Sequence, residues 1–386
     1  MLGLTNDEAW RQTSGPPGRD CTRMTLRHLS AVFFLGLTAA SLSAGTATLE
    51  LVASLPEHQV TGVAVSKTGR IFVNFPDWSD HHTFSVAEIV NGKPRPYPNE
   101  AWNERVGAPE KHFICVQSVY VDESDSLWIL DPAAPKMKEI VKGGPKLVKI
   151  DLVKNEVAQT ISFRETVAPQ KSYLNDVRVD TKTQTAYITD SGLGAIVVVD
   201  LATGKARRVL EDDDSTKAEK DFKLQVGGRA LLTENGKPPQ INSDGIAFDH
   251  LNGYLYFHAL TAKTLYRIRS DDLKSPHLTK KERGAKVERV IDTPPPDGMI
   301  MGPDGRLYLT DVAQGTIQAL DTKGNKLSTV IADGRLSWPD SLAWGPDGVL
   351  YVTTSQIQHM PRFNDGRDTR TTPYHVYKVL GALTAP

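Results

Sequence analysis

Six segments of this chain repeat one pattern, and that repetition restricts the fold more than any other feature. Each runs from a polar residue through a small or acidic one into an alternating apolar strand, a turn and a second apolar strand. They read TGVAVSKTGRIFVNF from Thr61, QSVYVDESDSLWILD from Gln117, NDVRVDTKTQTAYITD from Asn175, DGIAFDHLNGYLYFH from Asp244, DGMIMGPDGRLYLTD from Asp297 and DSLAWGPDGVLYVTT from Asp340. Successive starts lie 56, 58, 69, 53 and 43 residues apart, which suits a four-stranded unit with loops of varied length. The turn pieces KTGR, LNGY, PDGR and PDGV are hairpin signals. Between the repeats stand further short strands such as AIVVVDL, TLYRIR and TIQALD, and few stretches hold a helical period, so a parallel α/β fold is disfavoured.

Repetition at this period predicts an all-β, six-bladed β-propeller. A closed ring must join its first and last blades, and LELVASL (Leu49 to Leu55) is placed to supply the outer strand of the final blade, since the chain ends soon after YHVYKVLG. Closure would remove the exposed sheet edges of an open array. The expected organisation is a leader over residues 1–47 and one propeller domain over 48–386. The largest insertion, residues 211–240, is either a solvated loop or a flap over one mouth.

Composition narrows the partners. Lys plus Arg (45) balances Asp plus Glu (46), so no basic field draws the chain to nucleic acid or anionic membrane. From Met24 the sequence MTLRHLSAVFFLGLTAASLSAGTA has a basic start, an apolar stretch and small residues, the layout of a signal peptide. The expected location is therefore secreted or periplasmic, with no membrane attachment after cleavage. Cleavage near Ala44 or Ala47 would remove Cys21 and leave Cys115, the second of two cysteines, as a lone thiol.

Innermost propeller strands run along the axis, so equivalent repeat positions converge. The aligned set is Thr61, Gln117, Asn175, Asp244, Asp297 and Asp340, all polar and three of them acids. Carboxylates meeting in one channel raise one another's pKa unless a cation or a proton relieves them. Carboxylate and amide oxygens suit calcium better than magnesium, and no His or Cys in the set points to zinc or copper. The bland alternative is that each Asp or Asn caps a turn, Asp-Gly being a turn dipeptide in its own right. Outside this set, His258 follows the strand YLYF, where a proton-transfer or ligand-contacting group could stand. His359 has a similar place, His81 and His82 form an adjacent pair, and Trp102, Trp128, Trp338 and Trp344 are candidate walls for an aromatic ligand.

Several stretches resemble the yellow/major royal jelly protein family: RIFVNFPDW, PRPYPNEAWN, SLWILD, LNDVRVD, AYITDSGLGAIVVVDLATGKARRVL and SDGIAFDHLNGYLYFHALTAKTLYRI, in the family's order. The resemblance implies a secreted six-bladed propeller that binds small amines, catechols or sterols, with dopachrome tautomerisation as an associated activity. A more distant likeness, to the calcium-dependent lactonases of the regucalcin/gluconolactonase group, carries over at three positions. It implies Asn175, Asp244 and Asp297 as calcium ligands; from the aligned set and the strand-end position, Asp297 is the candidate catalytic carboxylate, and Thr61, Gln117, Asp340 and His258 are the candidate ligand contacts. Thr61 stands where that group has Glu, and Asp244 where it has Asn. Two functions follow, from different classes: a calcium-dependent hydrolase of lactones, and a non-catalytic binding protein for a small molecule.

Overall fold

The computed structural model describes residues 47–79 and 82–384, within a compact unit spanning Ala44–Pro386. Residues 1–46 of the proposed leader and His81 lie outside the described residues. Six antiparallel four-stranded sheets form six blades, and a two-stranded hairpin stands apart from them. Their first strands are Val63–Val65, Ser118–Val121, Leu174–Asp180, Ser243–Asp249, Met299–Met301 and Pro339–Trp344. Each of these packs on the first strand of the next blade, the sixth on the first, so the six line a central axis. Among the described residues no helix is long and apolar enough to cross a membrane.

The ring closes as the repeat pattern predicts. Thr48–Leu55 pairs antiparallel with Tyr374–Leu380, which makes it the fourth strand of the sixth blade. Its Ala53 and Leu55 are buried with Val63 and Val73 of the first blade and Ala343 and Val376 of the sixth. Burying one such Leu contributes about 1.5–3 kcal/mol, so the N-terminal strand is held by packing as well as by its ladder. The same sharing recurs around the ring: Leu130 and Leu147 of the second blade pack with Val177 and Ile188 of the third, and Tyr187 of the third with Ile246 and Phe257 of the fourth.

Register irregularities matter most on the axis. The ladders of the third, fourth and sixth blades shift between Leu174 and Val177, Ser243 and Ile246, and Pro339 and Leu342. A bulge puts two residues opposite one and re-aims a side chain. Here the irregular stretches contain Asn175 and Asp176, Asp244, and Asp340, which are therefore freed from strict alternation between the two blade faces.

The glycines that follow two axial acids have a different task from the one a turn would give them. A Cβ on Gly245 would meet the Asp297 carbonyl oxygen at 2.7 Å, and one on Gly298 the Asp340 carbonyl oxygen at 2.1 Å. Each glycine lets the next blade's backbone approach the axis, and neither has the positive φ of a turn glycine. The Asp-Gly pairs at 244 and 297 are thus packing devices within the ring.

Candidate functional site

The starts of the inner strands surround a cavity of about 240 Å³. Gln117, Asn175, Asp244, Asp297 and Asp340 all line it, five of the six aligned positions. Asp244, Asp297 and Asp340 act on one another. Burial, then the charge of Asp297, pushes Asp244 and Asp340 well above the usual carboxylate range. Burial also raises Asp297, to about 7, against the opposing hydrogen bond from Trp338 Nε1 to its Oδ2 at 2.6 Å. This is the pattern of adjacent acids that cannot all ionise.

A fourth acid joins them. Asp176, next to Asn175, is also raised by burial, and its charge acts on Asp244, Asp297 and Asp340. Strict strand alternation would turn Asp176 away from Asn175, and the irregular ladder at these two residues is what sequence periodicity could not register. Threonines of the second strands hold the ring of acids in place. Thr189 Oγ1 accepts from Asp176 N at 3.1 Å and donates to the Asp244 carbonyl at 2.7 Å, which latches the third blade to the fourth. Thr310 Oγ1 accepts from the backbone N–H groups of Asp297 and Gly298.

The walls come from loops remote in sequence. Trp78, Trp338, Leu260, Ile357 and Phe363 supply apolar surface, and Lys138, Lys171 and Arg362 also line the cavity. Trp78 Nε1 donates to Tyr173 Oη at 2.8 Å, and Tyr173 Oη donates to Gln117 Oε1 at 2.9 Å, so one wall is fixed by a short polar chain. The insertion at 211–240 reaches this face. Its hairpin, Gln225–Val226 with Arg229–Ala230, is flanked by Leu224 and Leu231, which are buried with Trp338, Met360 and Phe363. Of the two readings of this segment, the flap describes it better.

Two expected contacts stand elsewhere. Thr61 is buried but does not line the cavity: its Oγ1 accepts from Asn74 Nδ2 at 2.9 Å, and its carbonyl accepts from the Thr353 hydroxyl. His258 takes the second-strand position that Thr189, Thr310 and Thr353 hold in other blades. It is wholly buried, with Nδ1 on the Ala259 carbonyl at 2.7 Å and Nε2 on Thr293 Oγ1 at 3.1 Å, and burial lowers its pKa to about 4. It is a structural imidazole with both nitrogens occupied.

The remaining candidates also divide. His359 bonds Thr369 Oγ1, and His82 lies between Arg105 and the Phe75 carbonyl. Trp102 packs on Phe113, Trp128 donates to Asp122 and Trp344 packs on Tyr308, so that of the four candidates Trp338 lines this cavity. Cys115 is buried beside Tyr173, and burial raises its thiol pKa far above the ordinary value.

The donor chemistry at the cavity floor is that of a hard cation, with carboxylate and amide oxygens only. Its arrangement does not complete a coordination sphere: among the described residues no group of three or more His, Cys, Asp and Glu side chains is gathered closely enough to hold an ion. Calcium therefore has suitable ligands here but no closed site.

A family model described as major royal jelly protein matches residues 114–376. No curated protein matches the chain. Among solved structures, a gluconolactonase from Xanthomonas campestris is similar at 14% identity and a TM-score of 0.52, over 89% of this chain and 93% of that one. A calcium-binding regucalcin from Agrobacterium tumefaciens is similar at 14% identity and 0.51, over 86% and 94%. A luciferin-regenerating enzyme is similar at 12% identity and 0.53, over 86% and 95%. At these identities the likeness establishes the six-bladed architecture alone.

Proposed function

The chain belongs to the major royal jelly protein family, and from that premise we propose that it is an exported propeller whose axial cavity binds a small aromatic amine as its cation. One observation carries the reading: three mutually perturbed carboxylates, Asp244, Asp297 and Asp340, share a cavity with Trp78, Trp338 and Phe363. An ammonium group among the acids relieves their repulsion and favours ionised Asp297, while a flat apolar body packs against the aromatic wall. Lys138, Lys171 and Arg362 give an anionic substituent on the ligand a place to point. Asp244 and Asp297, two neighbouring buried acids both raised above the usual carboxylate range, also set a protonated carboxyl beside an ionisable one, so a ligand able to tautomerise could exchange protons with the pair.

Calcium-dependent lactone hydrolysis is the competing reading. It draws on the oxygen-only donor set and on what two structural neighbours are called, a gluconolactonase and a calcium-binding regucalcin. It would require Asn175, Asp244 and Asp297 to close around an ion, with Asp297 as the catalytic carboxylate.

Thermal unfolding of chelator-stripped protein separates the two, because a ligand that binds only the native state raises its apparent stability. The expected result is a saturable rise with tyramine, none with its neutral analogue 4-ethylphenol, and loss of the rise in Asp297→Asn. A rise with calcium alone, together with turnover of a lactone, would replace the amine reading. N-terminal sequencing of the exported protein tests the leader, with the mature chain expected to begin near residue 45–48.

A further inference from the structure

The axial cavity has a second charged pole, opposite in sign to the acids of its floor. Arg362 stands on the short 3-10 turn Pro361–Phe363, between the second and third strands of the sixth blade, and lines the same cavity. The turn is held by the flap. Leu224 and Leu231 are buried with Met360 and Phe363. Arg229 Nη2 donates to Asn364 Oδ1 at 2.9 Å, and Asn364 Nδ2 donates to the Gln358 and Met360 carbonyls, each at 2.9 Å.

The Arg362 guanidinium lies 4.9 Å from the Phe363 ring centroid, and its Nη1 rests on Met137 Sδ. Phe363 and Met137 both line the cavity, which puts the guanidinium on its wall. Nε and Nη2 have no acceptor among the described residues and are not closed off from water. Burial holds the pKa of this group below the ordinary value; the charges that act on it are those of Tyr173 and exposed Glu234, not those of Asp244, Asp297 or Asp340. The acids and the guanidinium therefore do not relieve one another.

We propose that the ligand of the axial cavity is a zwitterion, an aromatic amine with a carboxylate on the far side of its ring, whose two oxygens accept from Arg362 Nε and Nη2. This rests on the amine reading and narrows it. Nε and Nη2 form one edge of the planar guanidinium, a fork that meets both oxygens of a carboxylate at once. Nη1 is taken by a thioether, a weak acceptor that leaves the charge unrelieved. Lys138 and Lys171 line the same cavity but are exposed, so water solvates their charges. Because the acids do not act on Arg362, the two charges of the ligand must be separated by its ring; an α-amino acid, with both groups on one carbon, reaches one pole and not both.

Isothermal titration of the mature protein with phenethylamine, 4-(2-aminoethyl)benzoate and phenylalanine tests this. The aminoethylbenzoate is expected to bind at least about tenfold more tightly than phenethylamine, and phenylalanine no more tightly than phenethylamine. In Arg362→Gln the ratio of the first two affinities should fall close to one, and in Arg362→Lys, which keeps the charge and loses the fork, to an intermediate value; the Lys variant carries the comparison if the Gln variant does not fold. Equal binding of the aminoethylbenzoate and phenethylamine to wild type would overturn the proposal and leave the amine reading standing, whereas no saturable heat with either would remove both. A ratio unchanged in the Arg362 variants would overturn it by assigning the anion to Lys138 or Lys171, and phenylalanine binding as tightly as the aminoethylbenzoate would do so by placing both charges at one pole.

Discussion

Two sets of buried aspartates occupy this propeller, one at the ends of the second strands and one at the starts of the first. Asp131, in the first set, accepts from the backbone N–H groups of Ile114, Cys115 and Ala133 and from Lys146 Nζ at 2.8 Å. Asp190 accepts from Tyr173, Gly192 and Leu193 N–H, from Ser172 Oγ, and pairs with Arg208 at 2.7 Å. Every oxygen of these two has a donor, and each charge has a cation; Asp311, at the same place in the fifth blade, accepts from the Ala313 and Gln314 N–H groups but has no cation, and burial raises it. Asp244, Asp297 and Asp340 instead face one another, and burial drives them toward the neutral form. The same residue type is a structural keystone in one place and an unrelieved charge in the other. The difference is the supply of donors, which on the proposed reading a bound cation would make up for the axial set.

The largest test of this contrast is Asp131→Ala. It strands Lys146, itself fully buried, together with three backbone N–H groups, so a loss of about 3–5 kcal/mol is expected in denaturant unfolding. If the folded fraction survives, its amine binding should match wild type. A loss well under 1 kcal/mol would mean that the keystone role is misassigned.

Asp297→Asn should act in the opposite direction. With a folded pKa near 7 and an unfolded one near 3.9, the native state binds the proton more tightly than the unfolded chain does. Nothing is lost at pH 3, where both states are protonated, and a destabilisation builds as pH rises from about 4 to 7. The amide cannot ionise, so the variant should be more stable than wild type by up to about 2 kcal/mol at pH 8 and nearly equal to it at pH 4. Urea titrations at the two pH values check this. Wild-type affinity for tyramine should rise several-fold from pH 6 to 8 as Asp297 ionises, and a flat profile would remove this acid from the site.

The contrast also explains how much could be read without a structure. The repeats carried the blades, the closing strand and five of the cavity-lining axial residues, because a propeller brings aligned positions together by symmetry. Asp176 was hidden by an irregular ladder, since alternation assigns neighbours to opposite faces and a bulge cancels that rule. Trp78 and Tyr173 come from loops, and Arg362 and Phe363 from a short 3-10 turn, whose approach to the axis no periodicity encodes. His258 looked like a proton-transfer group because of its position at a strand end, but that position is where other blades put a threonine against the backbone. Thr61 was expected at the site for the converse reason: its alignment was right, and its hydroxyl is turned to Asn74.

The smallest prediction falls on the residue that joins the two sets. Thr189 and Asp190 are adjacent, yet Thr189 Oγ1 serves the axial backbone while Asp190 serves the outer loops. Thr189→Val keeps the shape and removes the acceptor for Asp176 N and the donor to the Asp244 carbonyl. A loss of about 1–2 kcal/mol is expected, with Thr189→Ser restoring most of it. If the latch only stabilises the ring, tyramine binding to the folded variant will be unchanged. If it also fixes where the acids of neighbouring blades meet, affinity should fall several-fold in Val and recover in Ser, because moving Asp244 away from Asp297 weakens the repulsion that the bound cation relieves.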